Sequence, residues 1–506
     1  MTMKARTLLL ASTALGFMMS SGAAHADNAD KEQIRALQAQ IQALTQQLGT
    51  LADKVDAQAK VPAPVKAASA QPVASEGGKE ILPGVKATVG GYIEAAGIYR
   101  SKNETTDIGS NWNTAIPFDN SVNAHQSEFR GTARQSRISL LLEGKVDDAM
   151  TITGYAESDF LGAAPTANST ETNSYNPRLR IAYAGVDRSD WGLHVLAGQT
   201  WSMLTMNKAG ILARQEYAPI GIDAQPTPGF TWTRNPQVRV VKDFDDKKWW
   251  VGLSAESPQA NLGGITVPAT VNVTNTGVSQ LSTASYSTDF APDVIAKVAY
   301  DPGWGHFETF GVMRVFHDTV LATGHSNAHI AGGGGFNALL PVIPKVLDLQ
   351  GSIMYGEGLG RYGSVQLPDF AIAPNGALKP LETLTWMVGA VAHPDPTWDL
   401  YLYAGAERVG RSNQSNTNYG YGDYGLNNST CYTTGALSAT ACPAQTSDVW
   451  QITPGVWKQV YKGNYGMMKV GAQYSLTRRN AFSDAQGLAP HAFENISMVS
   501  FRFYPF

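Results

Sequence analysis

The stretch that decides the fold is the C-terminal run Asn495-Ile-Ser-Met-Val-Ser-Phe-Arg-Phe-Tyr-Pro-Phe506. From Ser497 to Phe503 it alternates, so that an apolar face carrying Val499 and Phe501 opposes a more polar face carrying Arg502. An alternating strand that ends at an aromatic C-terminus is typical of the last strand of an outer-membrane β-barrel. We therefore expect Phe501 to meet lipid, Arg502 to face the lumen, and strand pairing to end near Tyr504, because the following proline cannot donate a backbone hydrogen bond. A soluble β-sandwich is the alternative, but it does not explain the aromatic end.

The N-terminus predicts export. Residues 1–26 combine a short basic region, an apolar run from Thr7 to Met19 and a small-residue cleavage site ending at Ala26, the pattern of a secretory signal peptide. The apolar run is shorter than the ~20 residues that a transmembrane helix needs. An exported chain without membrane helices is either soluble or a barrel, because in lipid only helices and closed barrels satisfy every backbone polar group.

Composition agrees with a barrel. Mean hydropathy is −0.18, as expected where lipid-facing and lumen-facing residues alternate. The 50 glycines, 20 tyrosines and 11 tryptophans suit many turns and interfacial aromatic belts. The formal charge of −4 becomes −6 when Lys4 and Arg6 leave with the signal peptide, so the sequence predicts no nucleic-acid partner. Cys431 and Cys442 predict a disulfide in an oxidising compartment; a metal pair is less favoured because no His or acid lies between them.

Residues 27–60 predict a coiled-coil helix. Apolar residues recur at alternating spacings of three and four: Ile34, Leu37, Ile41, Leu44, Leu48, Leu51 and Val55. This is an a/d seam, although an amphipathic helix packed on its own domain would show a similar stripe. Residues 61–85, rich in Pro and Ala, predict a linker, and residues 86–506 the barrel.

Long polar segments alternate with tight turns in the barrel region. The predicted turns are 147–148, 188–192, 244–248, 301–305, 341–345, 393–398 and 462–466. The predicted loops lie near 101–133, 161–176, 204–235, 258–291, 317–331, 357–381, 409–448 and 479–492. This alternation predicts an all-β transmembrane antiparallel barrel of about sixteen strands.

Charged residues on the strands predict which face is the lumen. Leu179, Ile181 and Tyr183 oppose Arg178 and Arg180, and a charge on a lipid face costs about 2–4 kcal/mol at the membrane midplane. The arginine faces are therefore expected to line the lumen. The loop from Thr205 to Arg234 is apolar enough to fold inward.

The ordered motifs resemble the DcaP-like porins, which are trimeric outer-membrane barrels. The matching pieces are Val89-Gly-Gly-Tyr-Ile93, Thr132-Ala-Arg-Gln-Ser-Arg137, Ala197-Gly-Gln-Thr-Trp-Ser202, Asn235-Pro-Gln-Val-Arg239, Tyr355-Gly-Glu-Gly-Leu-Gly-Arg-Tyr362, Tyr461-Lys-Gly463 and Tyr504-Pro-Phe506. Family members pass small anions, including dicarboxylates, through an arginine-lined constriction. The resemblance implies a basic lining made of Arg134, Arg137, Arg178, Arg180 and Arg239.

Acidic residues are expected on the same lumen wall. Glu94, Glu157 and Asp159 would hold the arginines extended, or would simply form ion pairs that stiffen the barrel. For each single arginine, structural pairing and solute contact both remain open. We expect partners to be small anionic solutes, the lipid bilayer and lipopolysaccharide, a homotrimer, and the barrel-assembly machinery through the C-terminal strand.

Three functions compatible with this pattern remain. The first is an anion-preferring diffusion porin of the bacterial outer membrane, with its coiled coil in the periplasm. The second is a phosphate-selective porin, which would need more lysine in the pore. The third is a structural barrel whose coil tethers the envelope. The sequence predicts no enzyme, cofactor or metal site: it contains no Gly-x-Ser-x-Gly or phosphate-binding loop, and the histidines of 317–329 match no metal motif.

Overall fold

The computed structural model describes residues 78–162, 169–276, 285–373, 375–412, 420–434 and 442–505. The predicted signal peptide, the coiled coil, residues 61–77 of the linker and Phe506 lie outside these residues. Within the described part of the chain, no helix is long and apolar enough to cross a membrane.

The described chain is built from β-strands. Their bounds are β1 (Lys79–Leu82), β2 (Val85–Arg100), β3 (Glu128–Thr132), β4 (Arg137–Lys145), β5 (Met150–Asp159), β6 (Arg178–Arg188), β7 (Leu193–Trp201), β8 (Arg234–Phe244), β9 (Trp249–Glu256), β10 (Val271–Asn272), β11 (Thr274–Thr276), β12 (Ser285–Ser287), β13 (Asp293–Tyr300), β14 (His306–Val320), β15 (His325–Ile343), β16 (Leu347–Glu357), β17 (Phe370–Ile372), β18 (Leu378–Pro380), β19 (Glu382–Ala392), β20 (Trp398–Val409), β21 (Thr446–Gly463), β22 (Gly466–Ala481) and β23 (His491–Tyr504). Short 3-10 helices span Val122–His125, Gly360–Tyr362 and Asn428–Tyr432.

Sixteen antiparallel wall strands close into a barrel. Consecutive wall strands pair along the chain, β3 and β4 forming one interrupted strand beside β2, and β23 returns to pair with Ile93–Arg100 of β2. Closure leaves no open sheet edge, as a lipid environment requires. The sheet begins at Lys79, earlier than residue 86 where the barrel was predicted to start, because β1 folds back on the beginning of β2.

The outer face of the barrel is apolar. Along β23, Val499 and Phe501 are 60% and 41% exposed, while Ser500 is buried inside. The predicted orientations of Phe501 and Arg502 are confirmed, and the last ladder pair joins Tyr504 to Met467. Large apolar side chains on an outer surface, with polar ones inside, invert the arrangement of a soluble protein and suit lipid.

The predicted turns and loops largely match the strand boundaries. Every predicted tight turn and every predicted loop overlaps an observed connection, but within 317–331 that connection is only residues 321–324. There, β14 and β15 continue as a hairpin to Val320 and His325. Polar side chains pair across this hairpin, with Asn327 donating to Asp318 at 2.8 Å. The loop was predicted too long because the strand residues 317–319 and 325–329 are mostly polar and do not alternate with apolar ones.

A β-bulge changes the predicted face of two residues on β6. Glu157 pairs with Ile181 and Ser158 with Leu179, which leaves Arg180 as the extra residue. The bulge turns Ile181 inward, where it is 5% exposed, and leaves Leu179 outward at 55%. Tyr183 follows Ile181 inward and packs on Tyr155, with ring centroids 5.8 Å apart. The prediction that Ile181 and Tyr183 face lipid was therefore wrong.

The loop at 202–233, called here the inner loop, folds into the barrel as predicted. Its Ile220 N–H donates to the Tyr403 hydroxyl at 3.1 Å, and its Ile220 carbonyl accepts from the Trp457 indole at 2.8 Å. Its Ile222 N–H donates to Gln473 at 2.6 Å. These contacts with β20, β21 and β22 place the loop across the interior, where its apolar residues form a core with the wall.

Candidate functional site

An arginine cluster lies on the inner wall formed by β4, β5 and β6. Arg137 of β4 is the ladder neighbour of Asp159 on β5, and Asp159 is the neighbour of Arg178 on β6. Arg180 points to the same side as Arg178 because side chains two residues apart on a strand share a face. Neighbouring strands therefore bring three guanidinium groups together around the carboxylates of Glu157 and Asp159.

Asp159 is held by two arginines. Arg178 binds it through both branches of its fork, with Nε to Oδ1 at 3.0 Å and Nη2 to Oδ2 at 2.8 Å. Arg180 adds Nη1 to Oδ2 at 2.7 Å. The carboxylate is 1% exposed, so it positions the arginines and is itself screened from solutes.

Glu157 is the second anchor of the cluster. It accepts from Arg180 Nε at 2.6 Å and from the Tyr155 hydroxyl at 3.1 Å, and Arg137 Nη1 lies 3.6 Å away. The Arg137 and Arg178 side chains are 26% and 35% exposed, against 8% for Arg180. Arg137 and Arg178 are thus the members that a solute can reach.

Arg234 adds a cation that the sequence prediction did not include. It begins β8 and lies 5.3 Å from the Trp201 ring and 5.4 Å from the Trp232 ring. Among the described residues it has no ion-pair partner, and its Nη1 is buried without a hydrogen bond. Its positive charge is repelled by three neighbouring arginines, Arg180, Arg178 and Arg137, and attracted by Asp159. The sequence signal that could have identified Arg234 was its position directly before the Asn235-Pro236 motif.

The cluster carries excess positive charge. Arg137, Arg178, Arg180 and Arg234 contribute four positive charges, and Glu157 and Asp159 contribute two negative ones. The net charge of +2 lies on a wall bordered by protein of low dielectric constant, where fields are strengthened. A guanidinium fork can replace part of the hydration shell of a carboxylate.

Two predicted lining arginines have structural roles instead. Arg134 binds Asp107 at 2.8 Å, donates to the carbonyls of Phe160 and Gly162, and stacks 3.4 Å from the Tyr175 ring. These partners use its donors and leave the side chain 11% exposed. Arg134 therefore joins neighbouring loops to the wall at the loop end of the barrel and does not belong to the cluster.

Arg239 supports the inner loop. It is 3% exposed and donates to Gln237 at 3.1 Å and to the carbonyl oxygens of Trp201 at 2.6 Å and Ile211 at 3.5 Å. It has no accessible face to offer a solute, because the loop that it holds also covers it.

Glu94 belongs to the seam that closes the barrel. It pairs with Arg502 at 3.1 Å and accepts from Ser500 at 2.5 Å, and its side chain is 1% exposed. This arrangement corresponds to the wall ion pair that the sequence left open as an alternative. The Tyr92 ring separates it from the cluster, 4.9 Å from Arg502 and 5.3 Å from Arg137.

The inner loop is fixed at both ends of its path across the lumen. Asp223 accepts from the Ser110 hydroxyl at 2.7 Å and from the backbone N–H groups of Ser110 and Gln225. Burial raises the pKa of Asp223 to about 6, against the opposing effects of Arg100 and of the Ser110 hydrogen bond. Further along, the Gly229 N–H donates to Glu407 at 2.8 Å.

A disulfide joins Cys431 to Cys442 in the loop after β20. Cys431 is buried in an apolar cluster that includes Trp112, Phe118 and Tyr421. The bond therefore closes this loop on itself, and the packing of Cys431 connects it to residues of the first loop, 101–127. In the part of the chain that the structure describes, no group of His, Cys, Asp and Glu could hold a metal ion.

A closed sixteen-stranded barrel with a loop folded inward is the architecture of outer-membrane channels. The chain is similar to the outer membrane channel DcaP of Acinetobacter baumannii, with a TM-score of 0.57 and 18% identity over 84% of this chain and 99% of that one. This similarity confirms the resemblance at the level of the fold.

Two further barrels are similar over comparable lengths. The anion-selective porin of Comamonas acidovorans has a TM-score of 0.44 and 12% identity over 83% of this chain and 99% of that chain. Salmonella typhi OmpF in complex with daunomycin has a TM-score of 0.47 and 12% identity over 84% and 100%. Neither a model of a protein family nor a curated protein sequence matches the chain.

Proposed function

We propose that the protein is an outer-membrane diffusion porin that passes small hydrophilic solutes and prefers anions, dicarboxylates among them. The observation that carries this proposal is the arginine cluster, whose four guanidinium groups outnumber its two carboxylates on a lumen wall. A cation-selective pore would be expected to expose acidic side chains at this level. Here the two acids, Glu157 and Asp159, are buried behind Arg137 and Arg178.

The cluster favours passage over permanent binding. Arg137 and Arg178 each keep a carboxylate partner, so a passing anion competes with Glu157 or Asp159 for each fork. Conduction requires sites that bind weakly enough to release. Two partly satisfied arginines meet that requirement better than one unpaired arginine in a deep pocket would.

The phosphate-selective alternative has less support. The cations of the cluster are arginines, whereas Lys297 is fully buried and pairs with Glu308 at 2.7 Å. The envelope-tethering alternative depends on residues 27–60, which lie outside the described residues. We include in the proposal a homotrimer with a periplasmic coil, contact with lipopolysaccharide, and assembly through the C-terminal strand.

Liposome swelling tests the proposal. Purified protein is reconstituted, and swelling rates are compared for a four-carbon dicarboxylate, a four-carbon diamine and an uncharged diol of equal length. We expect the dicarboxylate to enter faster than the diamine. A diamine that enters as fast or faster contradicts the anion preference. Absence of swelling with all three solutes, together with envelope defects on deletion of residues 27–78, would favour the tethering barrel.

A further inference from the structure

The inner loop contains a tight turn whose conformation is strongly constrained. Asn207 and Glu216 form an antiparallel bridge across its base, and the Lys208 N–H donates to the Gln215 carbonyl at 2.7 Å. Arg214 lies next to this base with φ of 66°, a left-handed conformation that non-glycine residues adopt infrequently. The side chain of Arg214 therefore leaves the loop in a direction set by the backbone.

The turn is held from behind by the opposite wall. The Asn207 N–H donates to Glu308 of β14 at 3.0 Å, and Lys297 of β13 donates to the Thr205 carbonyl at 2.8 Å. The Gly210 N–H donates to Asp301 at 2.9 Å. With its base fixed to β13 and β14, the turn presents Arg214 toward the other side of the lumen.

Arg214 reaches the same wall that carries the arginine cluster. Its Nη2 lies 3.9 Å from Glu143 Oε1 of β4, and its guanidinium lies 5.7 Å from the Tyr155 ring of β5. The Tyr183 side chain of β6 is also close enough for the charge of Arg214 to act on it. Tyr155 in turn donates to Glu157 of the cluster. Arg214 thus bridges the inner loop and the strands that bear Arg137, Arg178 and Arg180.

The contact with Glu143 is loose. Both side chains are partly exposed, 33% for Arg214 and 24% for Glu143, and 3.9 Å is at the outer limit of an ion pair. Exposed pairs of this kind contribute little to stability. The guanidinium can therefore leave Glu143 at small cost while the loop that carries it stays in place.

We propose that Arg214 is a specificity-determining residue of the pore, a loop-borne cation on the same wall as the arginine cluster and further along the strands. At rest it pairs with Glu143, and a passing carboxylate or phosphate takes over its guanidinium in a step separate from its contact with Arg137 or Arg178. Glu143 then reclaims Arg214 and speeds release of the anion. This inference rests on the proposed function and adds to it a second, loop-borne contact for the anion.

Single-channel recording of three variants tests the inference. Arg214→Ala removes the charge, Glu143→Gln removes its competitor, and Arg214→Lys keeps the charge but loses the fork. Arg408→Ala is the matched control, because Arg408 is an exposed arginine on the outward face of β20. The chloride-to-potassium permeability ratio is obtained from the zero-current potential in a KCl gradient at low salt. Block of the chloride current by a four-carbon dicarboxylate is measured in the same channels.

We expect Arg214→Ala to lower the permeability ratio about eightfold, because loss of one unit charge near the path, at a Debye length of ~10 Å, disfavours chloride and favours potassium. Glu143→Gln should raise the ratio, and Arg408→Ala should leave it unchanged. Arg214→Lys should keep the ratio and weaken dicarboxylate block, because lysine cannot form the bidentate contact.

The outcomes separate the inference from the proposed function. Cation preference in the wild-type channel would overturn the proposed function itself. Anion preference that is the same in wild type, Arg214→Ala and Glu143→Gln would overturn the inference alone. Unchanged dicarboxylate block in Arg214→Lys would overturn the forked contact. Should Arg214→Ala fail to fold, as judged by heat-modifiable migration on gels, Glu143→Gln and Arg214→Lys still decide the matter.

Discussion

Removing the two accessible arginines of the wall cluster should abolish most of the anion preference without unfolding the barrel. Arg137→Ala and Arg178→Ala each lower the cluster charge of +2 by one unit, and the double variant brings it to zero. Folding should survive, because Arg180 still binds both Glu157, at 2.6 Å, and Asp159, at 2.7 Å. Neither buried carboxylate is left without a partner, so the large cost of an uncompensated buried charge is avoided.

The size of the effect follows from Coulomb's law. A monovalent ion about 7 Å from one unit charge gains about 1 kcal/mol at an effective dielectric constant of roughly 40, between the values for protein surface and water. Screening at about 0.1 M salt, where the Debye length is ~10 Å, reduces this to roughly 0.6 kcal/mol. Loss of the charge disfavours chloride and favours potassium by this amount each, so the free-energy difference between the two ions changes by about 1.2 kcal/mol. Since 1.36 kcal/mol corresponds to tenfold, each variant should lower the chloride-to-potassium permeability ratio about eightfold, and the double variant about sixtyfold if the two effects add.

Zero-current potentials in a KCl gradient measure these ratios, with Arg408→Ala as the control for loss of an arginine away from the lumen. The reduction should shrink at 1 M salt, where the Debye length falls to about 3 Å. A double variant with the wild-type ratio at low salt would refute the cluster as the selectivity element. A variant whose effect is equal at low and high salt would show that a change of pore shape, and not charge, is responsible.

Three further perturbations address the inner loop and the disulfide. Gly229→Ala should release the end of the inner loop and raise single-channel conductance, because φ is 88° and a Cβ would overlap the Trp386 carbonyl; an unchanged conductance would contradict this. Asp223→Asn should remove the pH dependence of the stability of the inner loop. Burial raises the pKa of Asp223 to about 6, so its stabilising contribution to the loop is complete below about pH 3.9 and is lost as the pH rises through 6. Hydrogen exchange of the inner loop, corrected for intrinsic rates, should therefore quicken from pH 5 to 7.5 in wild type but not in the variant, and equal pH dependence would refute the assignment. Replacing Cys431 and Cys442 by Ser removes a cross-link of sequence separation 11, worth about 3 kcal/mol to local loop order; limited proteolysis should cut the variant sooner, and equal resistance would contradict the role of the bond.

Alternation, turn residues and loop polarity were enough to predict the barrel and its strand number. These features are set locally, because lipid imposes one face and tight turns impose residue types. The hairpin at 317–331 escaped prediction because the ends of its strands are mostly polar, do not alternate and resemble a loop. The bulge at Arg180 escaped because one inserted residue reverses every later side chain on the strand, which no composition reveals.

The membership of the site could be predicted only in part. Arg137, Arg178 and Arg180 were found because they alternate with apolar residues on strands. Arg134 resembles them in sequence, yet its partners Asp107, Phe160 and Gly162 come from distant segments that assemble only in the fold. Arg214 was missed for the converse reason: it lies on a loop with no periodicity, and only the inward path of that loop brings it to the wall.

The central claim, that net positive charge on this wall makes the channel prefer anions, is tested most directly by recording the wild-type protein in a planar bilayer under a KCl gradient. The account predicts a zero-current potential whose sign gives a chloride-to-potassium permeability ratio above one, and a ratio that rises as the salt concentration is lowered. A ratio below one at low salt would contradict it.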